Sequence, residues 1–348
     1  MKKIINTALA GFGLSGKAFH APFLHVHSGF RLKSVLERER NESQKIYPDV
    51  GVLRSLAEIV NDPEIELVVI ATPNVFHYDM ARECLEGGKH VVIEKPFTNT
   101  PAEAGQLIEL AEAKNLNIFV FQNRRWDGDF LTIRKIIKSG VLGEIQYFEA
   151  HFDRYTPERK RASWRDEPLP GSGVLYDLGS HLIDQALTLF GKPLSVRAEL
   201  QSQREDSLVD DFFEVDMHYK SMKARVTAGM LVEDPGPRYI IHGSRGSFIK
   251  YGIDPQEDAL RNGLLPEGEE WGVDPPEQWG LVTFDYDELN FDGRIETEPG
   301  NYMGFYNNVY DVLVHGKPQS VKPGEAALVI RVIEAAFDSS KKSVEIEL

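Results

Sequence analysis

The chain has one cysteine, Cys84, in 348 residues. No disulfide can close within it, and no zinc site built on several cysteines is available. That usage suits a reducing, cytoplasmic compartment, and no metal site is expected. No apolar run approaches the roughly 18 residues of a membrane span. Positive charge is short as well: 39 Lys and Arg face 54 Asp and Glu, a net charge of −15. Nucleic acid and anionic membrane are therefore not expected as partners. The start, MKKIINTALA, imitates a secretion signal. Its apolar part is too short and is broken by Asn6 and Thr7. Low-complexity segments, heptads and short repeats are missing too.

What is present is length enough for two domains and, in the first third, a regular alternation of strand and helix signals. Ile4–Ala10 is a short apolar run that stops at Gly11-Phe12-Gly13-Leu14-Ser15-Gly16. Lys17–His27 can be helical, and Phe30–Glu37 reads as a second strand. In a strand–turn–helix of this kind Gly11 allows the tight turn, Gly13 lets the backbone approach a pyrophosphate, and Gly16 lets helix and strand pack closely. The helix N-terminus offers its unpaired N–H groups to the phosphates. A glycine turn with packing duties only is the plainer alternative. Glu37, about twenty residues beyond the last glycine, favours the dinucleotide reading.

The alternation continues. Ser55–Glu58 and Thr100–Glu103 are capping boxes that open helices. Ile65–Thr72 is a continuous apolar run, as expected of a parallel strand buried on both faces, and His90–Ile93 and Asn117–Phe121 read as further strands. The fold expected for 1–123 is a doubly wound parallel Rossmann sheet. Ligands of such sheets lie beyond the carboxyl ends of the strands. That singles out Thr72, Pro73 and Asn74; then Glu94, Lys95 and Pro96; then Gln122 and Asn123.

From 124 to 348 the pattern changes to strands without intervening helices, at 144–155, 194–202, 212–219, 224–231, 238–243 and 247–251. A mostly antiparallel sheet with a few helices follows, an α+β domain. Residues 253–300 read as an extended loop or flap. The periodic helix 325–341 is expected to pack back toward the first domain. YDLGSHLIDQ, residues 176–185, reads as a buried helix with Asp177 and His181 on one face. The pair suits either a satisfied core contact or a proton-transfer device.

Four stretches together resemble the glucose-fructose oxidoreductase, inositol dehydrogenase and MocA family: AGFGLSGKAFHAPF, EKPFT at 94–98, NRRWD at 123–127 and YDLGSHLIDQ. HFDRYTP at 151–157, SWRDE at 163–167 and IHGSRGSFIKYGIDPQEDALRNG at 241–263 resemble a narrower group, the NADP-dependent scyllo-inositol dehydrogenases and bacterial relatives. The resemblance spans essentially the whole chain. It implies a nicotinamide dinucleotide on the first domain, held by the turn at Gly11, Gly13 and Gly16 and by the segment of Thr72, Pro73, Asn74 and His77, and oxidation of a sugar or cyclitol hydroxyl. It makes Lys95, Asp177 and His181 the catalytic set, with His as the base for the hydroxyl proton. It also implies a homodimer or homotetramer built on the open face of the second sheet.

Residue chemistry leaves the cofactor open between NAD and NADP. Glu37 at the second strand end suits a ribose 2′-hydroxyl, while Arg38 and Arg40 suit a 2′-phosphate. An acid here departs from the narrower group. Arg124, Trp126, Asp153, Tyr155, Trp164 and Arg165 are the polar and aromatic groups expected to line a polyol pocket. The arginines suit salt bridges between domains equally well, and Trp126 suits core packing. Two other functions use the same fold: a non-catalytic dinucleotide sensor and a glycosidase with a bound NAD. Lys95, Asp177 and His181 together speak against the sensor, and no feature points to the glycosidase.

Overall fold

The computed structural model describes residues 3–158 and 164–348. Ser163 and the stretch 159–162 of the polar loop lie outside the described residues, as does the side chain of Arg165. The chain forms two compact units. One comprises Met1–Asn123, Gln256–Trp271 and Asn301–Ala327; the other comprises Arg124–Pro255, Gly272–Gly300 and Leu328–Leu348. Among the described residues no helix is long and apolar enough to cross a membrane.

The first unit holds a six-stranded parallel sheet. Its strands are β1 (Ile5–Ala10), β2 (Phe30–Leu36), β3 (Gly51–Leu53), β4 (Leu67–Ile70), β5 (His90–Glu94) and β6 (Ile118–Phe121). Their order is β3-β2-β1-β4-β5-β6, the doubly wound arrangement, with the switch point between β1 and β4. β4 is buried at every position, because helices cover both faces of a parallel sheet. The capping box at Thr100 and Glu103 is formed in full. Met303–His315 is a helix of this unit. Its side chains Phe305, Tyr306, Val309 and Tyr310 are buried, at the spacing of one helical face.

The second unit holds a nine-stranded sheet. Its strands are β7 (Ile145–His151), β8 (Ser195–Gln201), β9 (Phe212–His218), β10 (Lys223–Gly229), β11 (Tyr239–Gly243), β12 (Gly246–Lys250), β13 (Gly280–Tyr286), β14 (Leu289–Ile295) and β15 (Ile346–Glu347). The order is β14-β13-β12-β11-β7-β10-β9-β8-β15. Only β7 and β10 pair in parallel; every other pairing is antiparallel. β9 alternates buried Phe213, Val215 and Met217 with half-buried Glu214 and Asp216, the pattern of a sheet with one face on a core.

The flap expected at 253–300 is instead structured. It contains the helix Gln256–Arg261 and the hairpin of β13 and β14. Both residues of its turn, Asp287 and Glu288, have positive φ, 51° and 68°. Such a turn normally takes Asn-Gly or Asp-Gly, so its sequence signal is weak. The last helix, Pro323–Lys342, passes from one unit to the other at Leu328. In the second unit Ser339 and Ser340 accept from Ala198 N and Leu200 N of β8.

Candidate active site

In the first unit the turn after β1 places its glycines by contact. Gly11 has φ +106°, and a Cβ there would lie 2.7 Å from Ala71 O. A Cβ on Gly16 would collide with Gly11 O, so the helix start lies against the turn. A Cβ on Gly13 would meet nothing within 4 Å. The backbone of Gly13 thus faces open space, which fits the approach of a pyrophosphate. Leu14 is exposed, and the Phe12 ring meets Tyr47 edge-on at 6.5 Å. The helix that follows begins as a π turn, Gly16–His20, and continues as Ala21–Val26. Single π turns inside helices are frequent at functional sites.

β5 ends in Glu94, and Lys95 and Pro96 follow through a cis peptide. The Ser15 hydroxyl donates to Glu94 Oε1. His20 Nε2 lies 3.0 Å from the same oxygen, and Lys95 N donates to Oε2 at 3.0 Å. Burial opposes the charge on Glu94. The bonds from His20 and Ser15 and the nearby Lys95 ammonium nevertheless hold its carboxyl below the usual glutamate range. Two neighbouring strand-end loops are joined by His77, whose ring nitrogens lie 2.9 Å from Pro96 O and 3.1 Å from Thr72 O. Burial lowers the affinity of His77 for a second proton. A neutral ring donates to only one of these two carbonyls at a time. Thr72 Oγ1 rests on Met80 Sδ at 3.6 Å, Pro73 precedes the short turn Asn74–Phe76, and Asn74 O accepts from Asn99 Nδ2 at 3.4 Å. Asn74 and Asn123 are buried.

Glu37 bonds within its own loop. Its carboxylate accepts from Glu42 N and Ser43 N, both at 2.9 Å, and from Ser43 Oγ at 2.5 Å. It serves the start of the helix Glu42–Ile46. Burial pushes its carboxyl up, but those donors outweigh burial and hold it low. Arg38 and Arg40 are exposed. Arg54 Nη1 donates to Glu37 O at 2.6 Å and Arg40 O at 2.7 Å, so the loop that presents them is braced.

In the second unit YDLGSHLIDQ is not a uniform α-helix. Leu175–Gly179 is a π turn and Ser180–Phe190 an α-helix. Asp177 lies in the π turn and His181 in the first α-turn, where it is buried. Leu175, Leu178, Leu182, Ile183 and Ala186 are buried around them. A Cβ on Gly179 would lie 2.7 Å from Leu175 and 3.2 Å from Phe213 of β9, so the turn sits close on its sheet. From behind, Asp210 Oδ2 accepts from Leu175 N at 2.7 Å, and Asp210 O accepts from Val174 N at 2.9 Å. Asp184 receives a two-pronged pair from Arg125, at 2.8 and 2.7 Å. Gln185 donates to Arg124 O at 3.0 Å and accepts from Tyr239 Oη at 2.8 Å.

The expected polyol contacts are placed unevenly. Arg124 is buried, pairs with Asp127 at 3.3 Å and lies over the Phe152 ring at 4.6 Å. Asp153 accepts from Gly229 N at 2.9 Å with one oxygen and meets His151 Nδ1 at 3.0 Å with the other. Trp126 is half-buried, as is Trp164 in the short turn Trp164–Asp166; Tyr155 is exposed and bridges to Leu231. The pairs Arg124–Asp127 and Arg125–Asp184 lie inside the second unit. Sequence reasoning gave no role to His20, Tyr306 or Asp210. His20 lies within the quoted AGFGLSGKAFHAPF; Tyr306 and Asp210 carry no local signal at all.

A parallel 3-2-1-4-5-6 sheet with this glycine turn defines a dinucleotide-binding architecture. The chain matches two family profiles: the oxidoreductase family's NAD-binding Rossmann fold over residues 5–122, and that family's C-terminal alpha/beta domain over residues 134–348. It belongs to the Gfo/Idh/MocA oxidoreductase family. It is 42% identical to the scyllo-inositol 2-dehydrogenase (NADP(+)) of Bacillus subtilis, over 99% of this chain and 96% of that one. A levoglucosan dehydrogenase of Pseudarthrobacter phenanthrenivorans is 34% identical over 57% of this chain and 54% of its own. Among solved structures, Bacillus subtilis YvaA superposes with a TM-score of 0.95 at 41% identity, over 99% of this chain and 100% of that chain. Yersinia pestis YPO2259 gives 0.93 at 38% identity, over 100% and 98%. The chain is an oxidoreductase that uses a nicotinamide dinucleotide, NAD or NADP.

Proposed function

We propose that the enzyme transfers hydride between a nicotinamide dinucleotide and a secondary hydroxyl of a sugar or inositol, with a scyllo-inositol-like polyol as the preferred substrate class. The 42% identity to a scyllo-inositol dehydrogenase along 99% of the chain carries this reading. The glycine turn and strand-end loops hold the dinucleotide, which when bound supplies the hydride acceptor or donor. His181 takes the hydroxyl proton as the C–H bond breaks and returns it in the reverse direction. Asp177 orients the imidazole and stabilises its protonated form. Lys95 donates a hydrogen bond to the same oxygen as negative charge develops. Trp126, Tyr155, Trp164 and Arg165 are the groups proposed to select the polyol. Asp153 makes one contact with each oxygen and keeps acceptor capacity for a polyol hydroxyl.

We infer that NADP is preferred over NAD. The Glu37 carboxylate is tied to its own loop by Glu42 and Ser43, and the exposed Arg38 and Arg40 beside it are the groups to meet a 2′-phosphate. A homodimer or homotetramer through the outer face of the nine-stranded sheet completes the proposal, and sizing in solution tests it. The decisive experiment is a screen of inositols and aldoses with each cofactor, followed by absorbance of the reduced nicotinamide. Turnover of a cyclic polyol with NADP is expected; no turnover with any polyol and either cofactor refutes the function. Arg38→Ala should raise KM for NADP about tenfold, the worth of one charge-assisted contact, and move KM for NAD little. An unchanged NADP/NAD ratio rules out the Arg38 assignment.

A further inference from the structure

We infer that Tyr306, His20 and Glu94 form a buried relay that positions Ser15 of the glycine turn and the backbone of Lys95. It rests on the cofactor and Lys95 roles proposed above.

The three residues come from three segments of the first unit: the π turn Gly16–His20, the end of β5, and the helix Met303–His315. His20 and Tyr306 are fully buried, and Glu94 is 8% exposed. Tyr306 Oη lies 2.6 Å from His20 Nδ1, and His20 Nε2 lies 3.0 Å from Glu94 Oε1. The proton pattern that satisfies every atom has Tyr306 donating to Nδ1 and Nε2–H donating to the carboxylate. Phe121 packs on the His20 ring at 4.4 Å, and Phe23 stacks on Tyr306 at 5.8 Å.

A polar triple in such a shell is an expensive way to fill a core. Apolar side chains of similar volume are often equally stable or more so. The location of the remaining Glu94 bonds gives the triple a use. One carboxylate oxygen takes the Ser15 hydroxyl and the other takes Lys95 N. The plane of this one carboxylate therefore fixes the phosphate-side turn and the start of the EKP segment together. His20 holds that plane, and Tyr306 holds the tautomer and ring orientation of His20. Tyr306 and His20 touch neither cofactor nor substrate in this scheme; they are positioning residues.

The test compares Glu94→Gln, Tyr306→Phe, His20→Gln and His20→Leu with wild type in the full-length enzyme. It measures NADPH affinity by nicotinamide fluorescence, kcat, KM for the polyol, and the thermal midpoint without ligand. Glu94→Gln should weaken NADPH binding and lower kcat, each about tenfold, with KM for the polyol within about twofold, as loss of a charge-assisted bond implies. Tyr306→Phe should show about threefold changes in the same two quantities, as a neutral bond implies. His20→Gln, which keeps a donor, should recover part of what His20→Leu loses. If the His20 variants do not fold, Tyr306→Phe, which removes one oxygen, carries the test. Lower thermal midpoints with wild-type NADPH affinity and kcat would overturn the relay and leave ordinary core contacts. A wild-type enzyme that binds no nicotinamide dinucleotide would instead sink the functional reading on which the relay rests.

Discussion

Gly16–His20 and Leu175–Gly179 are both π turns that run directly into an α-helix. They differ in what fixes them. The first lies on a turn of three glycines, and its polar residues are tied to β5 and to the helix Met303–His315 by the bonds of Glu94 and His20. The second lies on the close approach of Gly179 to Phe213 and on two bonds from Asp210. Before the first turn lies backbone, with Gly13 facing open space; the second carries Asp177, and His181 follows in the helix it opens. A phosphate is read well by fixed N–H groups, whereas proton transfer needs a titratable side chain. The same local irregularity is thus supported in two ways, and the proposed function gives the two turns different tasks.

His181→Ala breaks the comparison most sharply. With chemistry confined to the second turn, kcat should fall about a thousandfold, within the usual worth of a general base. Affinity for the dinucleotide should stay within a factor of about two in fluorescence titration, because the proposed base removes no binding contact there. Retained turnover would place the base elsewhere.

The glycine turn gives the next largest effects, and the two glycines should fail differently. Gly13→Ala adds a methyl group to open space. Thermal stability should be unchanged while NADPH affinity drops about tenfold, since the methyl obstructs only the bound phosphate. Gly16→Ala drives its methyl into Gly11 O, and unfolding in urea should show a loss of about 2–3 kcal/mol, typical of overpacking. Equal stability losses in both variants would mean that Gly13 serves packing rather than approach.

What was legible in the sequence tracks how local the signal is. The glycine turn, the all-apolar β4 and the Thr100–Glu103 capping box depend on neighbours a few residues apart, and they read directly. The hairpin of β13 and β14 did not, because Asp287 and Glu288 take left-handed backbone without the usual Gly or Asn. Glu37 has the residue type of a ribose acceptor, but its direction is set by Ser43 and Glu42. No sequence rule gives that direction. His20 and Tyr306 are 286 residues apart, so their pairing exists only once the helix Met303–His315 has joined the first unit. Lys95, Asp177 and His181 stood out by resemblance, whereas the π turn beneath Asp177 has no periodicity to announce it.

The smallest expected effect concerns how the second turn is held. Asp210 stands where a carboxylate at a helix start gains from the backbone donors of Leu175. Burial nevertheless pushes its carboxyl up to about 6; the Leu175 and Val174 donors lower it less, and the neighbouring Asp211 charge raises it further. Asp211 is itself paired with Arg204 at 3.0 Å, and Lys341 lines the same cavity of about 600 Å³ as Asp210. A native carboxyl that titrates above its unfolded value binds its proton more tightly when folded. The group's contribution to stability is then greatest below the unfolded value of 3.8, declines as pH rises toward 6, and stays low above it. Asp210→Asn keeps an acceptor for Leu175 N and removes the charge. At pH 7.5 it should raise unfolding stability by about 1 kcal/mol, a fraction of the about 3 kcal/mol that the full shift would represent. Near pH 4 the gain should vanish. Urea unfolding at the two pH values distinguishes the outcomes. A loss of stability at pH 7.5 would mean that the helix-end field outweighs desolvation, and that the second turn, like the first, is held by a charge in net favourable surroundings.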